Sequence, residues 1–167
     1  MKGICLVLYA LMALITGSAQ TISVTGARTM IPGLYAGITY SHPTNSEINL
    51  GGRVFVERAQ FSRIDYSAVG ADLMLEYVSS RHPQESKCAV RVASGVTAQA
   101  ESEPWIFKTF SQLQRLNYGM LTELSGVWNL TEAFALSSFV QQKFLFNRPL
   151  GSRHFLFGLT LSCKPQL

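Results

Sequence analysis

The chain has 167 residues, 47% of them hydrophobic and 14% charged, with 14 Lys+Arg against 10 Asp+Glu for a formal net charge of +4. That length makes one domain, its hydrophobicity excludes a disordered chain, its Gly and Pro content excludes a collagen or a linker, and 3 Cys exclude a disulfide-dense miniprotein. The cations are spread along the chain with no basic run, so no direct nucleic-acid partner is expected.

The first segment has the order of an export signal: Lys2, an apolar run from Ile4 to Ile15, then Thr16-Gly17-Ser18-Ala19-Gln20 with small residues suited to cleavage between Ala19 and Gln20. The alternative, a membrane anchor, needs a helix of roughly twenty apolar residues, and this run is shorter. Cys5 lies inside the run, which disfavours a lipoprotein. The expected division is a signal peptide over 1–19 and a single β domain over 20–167. Export leaves Cys88 and Cys163 in an oxidising compartment, where a disulfide is open to them although nothing in the sequence shows that they meet.

Beyond residue 30 the period of a buried helix appears only in fragments, the best from Phe107 to Arg115, while alternation with period two is nearly continuous. After a strand over Gly33–Ser41, the apolar face holds Ile48, Leu50, Val54 and Val56 against Asn49, Arg53 and Glu57. The next runs set Val69, Ala71, Leu73, Leu75 and Tyr77 against Gly70, Asp72 and Glu76, then Val90, Val92, Val96 and Ala98 against Arg91, Ala93, Thr97, Gln99 and Glu101. Tyr118, Met120, Leu124 and Trp128 oppose Gly119, Glu123 and Ser125; Phe134, Leu136, Val140 and Phe144 oppose Ala135, Ser137, Gln141 and Lys143. The final run sets Phe155, Phe157, Leu159 and Leu161 against His154, Gly158, Thr160 and Ser162. Turn residues separate the runs at Ser41–Asn45, Arg81–Gln84, Asn129–Thr131 and Asn147–Gly151. No segment reads as a crossover helix, so neighbours pair antiparallel in an up-and-down order.

Which face is inside decides the class. The runs from Lys87 to Glu101 and from Leu116 to Trp128 have the length of a tilted membrane-spanning strand rather than that of a soluble sandwich strand. The face opposite the apolar one mixes small residues with isolated charges at Arg53, Glu57, Asp72, Glu76, Arg91, Glu123 and Lys143. A small barrel fills its narrow interior with side chains, and opposite charges beside small residues suit that interior; Glu57, Asp72 and Glu76 are expected to partner Arg53 and Arg91 there. Tyr40, Tyr66, Tyr77, Trp128, Phe144, Phe146 and Phe155 stand near strand ends, as boundary aromatics of a membrane barrel do. Because single-chain bacterial barrels use even strand numbers, Thr21–Arg28, with Ile22 and Val24 alternating and a return at Met30–Gly33, completes an all-β, antiparallel, transmembrane up-and-down barrel of about eight strands. A rival places a separate short strand at Gln60–Asp65. With Asn129–Thr131 as a periplasmic turn, Ser102–Arg115 and Phe146–Gly151 become external.

The chain has no phosphate-binding glycine loop, HExxH, CxxC or nucleophile elbow, and His42, His82 and His154 stand apart, so neither metal nor cofactor is expected. Ser152 and His154 near an external strand end raise an alternative, an enzyme modifying lipid A, but no acid is identified to orient the imidazole. A soluble barrel with its apolar face turned inward around a lipid is a further alternative. Asn129-Leu130-Thr131 matches a glycosylation sequon and reads here as a tight turn.

Several stretches resemble the TraO family of conjugative transposon proteins: Arg28-Thr29-Met30-Ile31-Pro32-Gly33 after the signal, Val90–Ala98 centred on Gly95, Tyr118-Gly119 opening a strand, and Trp128–Leu136 as strand, short turn and strand. The likeness extends over about residues 28–163. It implies a compact barrel of the bacterial outer membrane, embedded in lipid, non-enzymatic, and accessory to a conjugative transfer apparatus whose proteins would be its partners. The alternative is a generic small outer-membrane barrel, adhesin or porin-like, with no transfer role. The tail Cys163-Lys164-Pro165-Gln166-Leu167 departs from the terminal aromatic residue that barrel insertion prefers, leaving Phe157 or Leu161 to serve.

Overall fold

The computed structural model describes residues 20–30, 33–44, 47–61, 64–79, 87–102, 114–146 and 153–164. The expected signal segment, including Ala19, lies outside them, and Gln20 is buried at the start of the first strand.

Eight strands form one closed antiparallel barrel in sequence order: β1 Thr21–Thr29, β2 Gly33–Pro43, β3 Ile48–Phe61, β4 Ile64–Val78, β5 Cys88–Ser102, β6 Gln114–Asn129, β7 Phe134–Leu145 and β8 Arg153–Cys163. The β1 strand, argued in the sequence from even numbering and the alternation of Ile22 and Val24, is the closing strand, with Val24 opposite Ile38 on one side and Leu161 on the other. The rival strand at Gln60–Asp65 is absent as a separate element. Gln60 and Phe61 end β3 and Ile64 and Asp65 open β4, with Phe61 paired to Ile64. Continuing the period-two pattern to the tip lets the hairpin keep its ladder where a separate strand would have to break it. Arg115, at the end of the best helical fragment, belongs to β6.

Side chains alternate along every strand, and the apolar set faces outward. Val24, Leu34, Val54, Val69, Leu75, Tyr118, Met120 and Val140 are each more than half exposed. Water would not tolerate an apolar belt continuous around a monomer, whereas lipid requires one. This outward belt overturns the soluble lipid-carrier alternative, which needs the same residues inside. Because all strands are paired around the closed cylinder, the backbone polar groups of the described strands meet one another and no edge is left open.

The lumen is filled rather than hollow. Phe55 lies in register between Gly37 and Gly70 on neighbouring strands, and a Cβ on Gly70 would come within 2.5 Å of the Phe55 ring tip. Glycine beside a large ring is how a narrow interior accommodates it. At the closing seam Ser23 Oγ donates to Ser162 Oγ at 2.9 Å, and Thr25 and Thr160 hydroxyls meet at 3.1 Å. These short side chains hydrogen-bond locally on the inner wall and leave the centre to longer ones.

The strand ends define two rims. The terminal rim carries the start of β1, the end of β8, and the connections 44–47, 79–87 and 130–133. The turn at 130–133 is closed by Leu130 and Thr131 amides donating to the Phe134 carbonyl and by the Phe134 amide donating to Thr131 Oγ1. From the distal rim leave the connections 30–32, 62–63, 103–113 and 146–152.

Candidate functional site: the charged lumen and its rims

Midway along the barrel, strands that are distant in sequence meet across the lumen. Arg53 on β3 donates through Nη2 to Glu123 Oε2 on β6 at 2.8 Å, and through Nε to Thr39 on β2 at 3.0 Å. Its Nη1 lies 4.0 Å from Asp72 on β4. Asp72 in turn receives Lys143 Nζ from β7 at 2.8 Å and 3.1 Å on its two oxygens. Lys143 also lies 3.6 Å from the centroid of the Phe55 ring and 5.6 Å from that of Tyr35. Tyr35 and Phe55 stack at 5.1 Å, and the Arg53 guanidinium sits over Phe139.

All four charged groups are almost fully buried, so each is stable only because the others neutralise it and the aromatic faces solvate the cations. Carboxylate, guanidinium, ammonium and three rings together span the lumen from wall to wall. The side-chain amides of Asn117 and Gln141 are fully buried without a protein partner among the described residues, and lumenal water is the partner that suits such groups.

Two smaller clusters lie toward the rims. Toward the terminal rim Glu76 takes Arg91 at 3.6 Å and the Ser41 hydroxyl at 3.1 Å, while Arg91 Nε donates to Ser125. Toward the distal rim His154 Nε2 lies 3.0 Å from Glu57 Oε1, and Gln99 Nε2 donates to Glu101 at 2.6 Å.

Every charge singled out in the sequence, namely Arg53, Glu57, Asp72, Glu76, Arg91, Glu123 and Lys143, therefore stands on the inner wall. The pairing differs in one place. Glu57, expected beside an arginine, meets His154 of β8 instead, because Arg53, two inward positions away beyond Phe55, turns toward Glu123 and Asp72. Glu101 and His154 join the charged interior as well; the period-two pattern sets both on the polar face of their runs, although neither was singled out among the interior charges.

The aromatics divide between the rims. Tyr40, Tyr77 and Trp128 stand at strand ends toward the terminal rim, with Tyr77 paired to Ile48 and Trp128 to Cys88. Phe144 and Phe155 stand toward the distal rim, where Tyr118 and Phe146 rings meet at 6.0 Å. All five are partly or fully exposed on the outer wall. Tyr66 lies in β4, but its side chain is outside the description.

Cys88 and Cys163 stand on β5 and β8, held apart around the circumference by β6 and β7, and the disulfide left open by the sequence does not join them within the barrel. His154 faces the lumen, and Ser152 lies outside the described residues. Among the described residues no group of His, Cys, Asp and Glu is arranged to hold a metal ion.

No family model and no curated protein matches the chain. Solved structures do. The N-terminal β-barrel domain of Pseudomonas aeruginosa OprF matches with a TM-score of 0.68 at 11% identity, covering 89% of this chain and 98% of that one. Ail, the attachment invasion locus protein of Yersinia pestis, solved with the heparin analogue sucrose octasulfate, gives 0.60 at 12% identity over 89% of this chain and 99% of that one. The outer-membrane enzyme PagL gives 0.54 at 8% identity over 86% and 98% of the two chains. At these identities the likeness is one of fold: an eight-stranded barrel of the outer-membrane, transmembrane type.

Proposed function

We propose that this protein is a non-enzymatic barrel of the bacterial outer membrane, closed to solutes, whose activity resides in its distal connections rather than in its lumen. The observation that carries this reading is the Arg53–Glu123 and Lys143–Asp72 network packed against Tyr35, Phe55 and Phe139, which fills the cross-section at mid-height. Eight strands enclose only enough space for such side chains, so a porin-like role has no conduit. Lipid is the partner that the outer belt requires.

A contact or attachment role is the form of this reading that the likeness to Ail supports. The fold also carries an enzyme, PagL, and here the argument is chemical: a lipid substrate lies against the outer wall, while His154 points inward to Glu57. Reconstituted barrels are expected to leave liposomes impermeable to small sugars in a swelling assay. Sugar influx at porin-like rates would refute the closed lumen.

The narrower role, accessory of a conjugative transfer apparatus, draws its support from the sequence resemblance at residues 28–33, 90–98 and 128–136. Its test is the frequency of element transfer from a donor lacking the gene, with and without a wild-type copy supplied in trans. Transfer that is unchanged by the deletion would reject the accessory role and leave the barrel reading standing.

A further inference from the structure

The charges of the lumen find partners in the lumen, but those of the outer wall do not. Among the strand residues whose side chains are described, the outward-facing positions carry three charged groups, Arg28, Arg58 and Arg153, all exposed and none with an ion-pair partner. The carboxylates whose side chains are described are elsewhere: Glu57, Asp72, Glu76, Glu101 and Glu123 face the interior, and Glu47 and Glu132 lie in connections of the terminal rim.

The three arginines are grouped. Arg28 of β1 and Arg58 of β3 stand in register on either side of Leu34 of β2, which places their Cα atoms two strand spacings, roughly 10 Å, apart. Arg153 opens β8, the strand that closes the barrel against β1. All three are at the distal rim, on one arc of four strands. The exposed apolar outer wall adjoins them, with Phe155 and Phe157 following Arg153 along β8, Phe157 in register with Arg28, and Val56 and Ile38 lying toward mid-barrel from Arg58 and Leu34.

A guanidinium at the edge of an apolar belt extends its head toward the polar boundary and needs counter-charge there. Arginine offers a planar fork of donors that matches phosphate in two-pronged fashion, which lysine does not. The terminal rim differs in this respect, since its exposed described cations are Lys87 and Lys164. Phosphate held just above acyl chains is the chemistry of lipid A in the outer leaflet, where sugar-borne phosphates lie at the level of the arginines and the chains lie along the belt.

We infer that the arc of Arg28, Arg58 and Arg153 is a binding site for the phosphates of lipid A, seating lipopolysaccharide against β8–β1–β2–β3. The inference rests on the outer-membrane reading with the distal rim outward.

The test uses the folded full-length barrel in a zwitterionic detergent, with fluorescent bisphosphorylated lipid A as probe and anisotropy as readout. Dephosphorylated lipid A and phosphatidylglycerol are the comparison probes. Wild type should bind bisphosphorylated lipid A in preference to both. The triple variant R28Q/R58Q/R153Q should lose affinity by roughly tenfold or more, since three charge-assisted contacts are removed. The terminal-rim variant K87Q/K164Q should bind as wild type does. Single substitutions R28Q and R58Q, each expected to weaken binding in part, serve if the triple variant does not fold. Equal binding of dephosphorylated lipid A or phosphatidylglycerol, or undiminished binding by the arginine variants, would overturn the site. Heat-modifiable gel mobility, measured on each protein, separates this from failure of the barrel itself: a wild type that neither shifts on boiling nor partitions into outer membrane would remove the premise as well.

Discussion

Lys143 on β7 reaches across the lumen to grip both oxygens of Asp72 on β4, at 2.8 Å and 3.1 Å, while its ammonium rests 3.6 Å from the centroid of Phe55. β7 is thereby tied through the barrel interior to the paired strands β4 and β3, neither of which it meets in the wall. The wall holds itself by backbone ladders; these contacts determine what the wall encloses.

Removing one member of that pair should cost far more than removing both. Asp72→Ala leaves the Lys143 ammonium buried beside Arg53 without its carboxylate, and a loss of roughly 3–5 kcal/mol is expected. The double variant D72A/K143M should recover a large part of that loss. Urea titration of the heat-modifiable folded band measures both. A single variant as stable as wild type would mean that lumenal water already solvates the lysine.

Glycine positions separate the two faces. Gly70→Val drives new atoms into the Phe55 ring and the β5 backbone, so overpacking of about 1–3 kcal/mol is expected. Gly52→Ala on the outer wall meets nothing within 4 Å and should be tolerated within about 0.5 kcal/mol. The same urea titration checks the pair, and equal effects would place both glycines in equivalent surroundings.

The depth of an outward residue should set the cost of charging it. Leu73→Arg, well inside the belt, is expected to destabilise the barrel in lipid vesicles by roughly 2–4 kcal/mol, and Tyr77→Arg at the terminal rim by about 1 kcal/mol or less. In a protein whose outer wall faced water both substitutions would be harmless.

Lipid A extracted from cells expressing the protein should have the same mass spectrum as lipid A from cells without it. A new species that disappears with His154→Ala would establish the enzymatic alternative and with it a role for the His154–Glu57 contact.

Cys88 and Cys163 should each react with a maleimide in the unfolded protein under non-reducing conditions, because β6 and β7 separate them. Protection of both thiols would indicate a cross-link.

Strand parity was legible because a strand repeats every two residues. The runs at Ile48–Glu57 and Val69–Tyr77 show which side chains share a wall, and length with export context shows which wall meets lipid. Parity says nothing about partners across the lumen. Glu57 and His154 are brought together only by closure of β8 onto β1, and Asp72, besides Arg53 of its own hairpin, takes Lys143 from β7 across the lumen. The β1 strand carried only Ile22 and Val24 as an alternating signal, its inward positions being the small Ser23, Thr25 and Ala27, so it had to be found by counting strands. Continuation of the ladder as far as the Phe61–Ile64 pair was hidden because polar and apolar residues do not alternate cleanly in that stretch of the sequence.

The measurement that bears most directly on the central claim is quenching by brominated lipid. In a W105F/W128F background, Val96→Trp, Leu73→Trp and Leu159→Trp place one indole on each of three strands around the belt. The account predicts strong quenching of all three in vesicles brominated within the acyl chains. Fluorescence unchanged by bromination at these positions would mean that the apolar wall does not face lipid, and the barrel would not be a membrane protein.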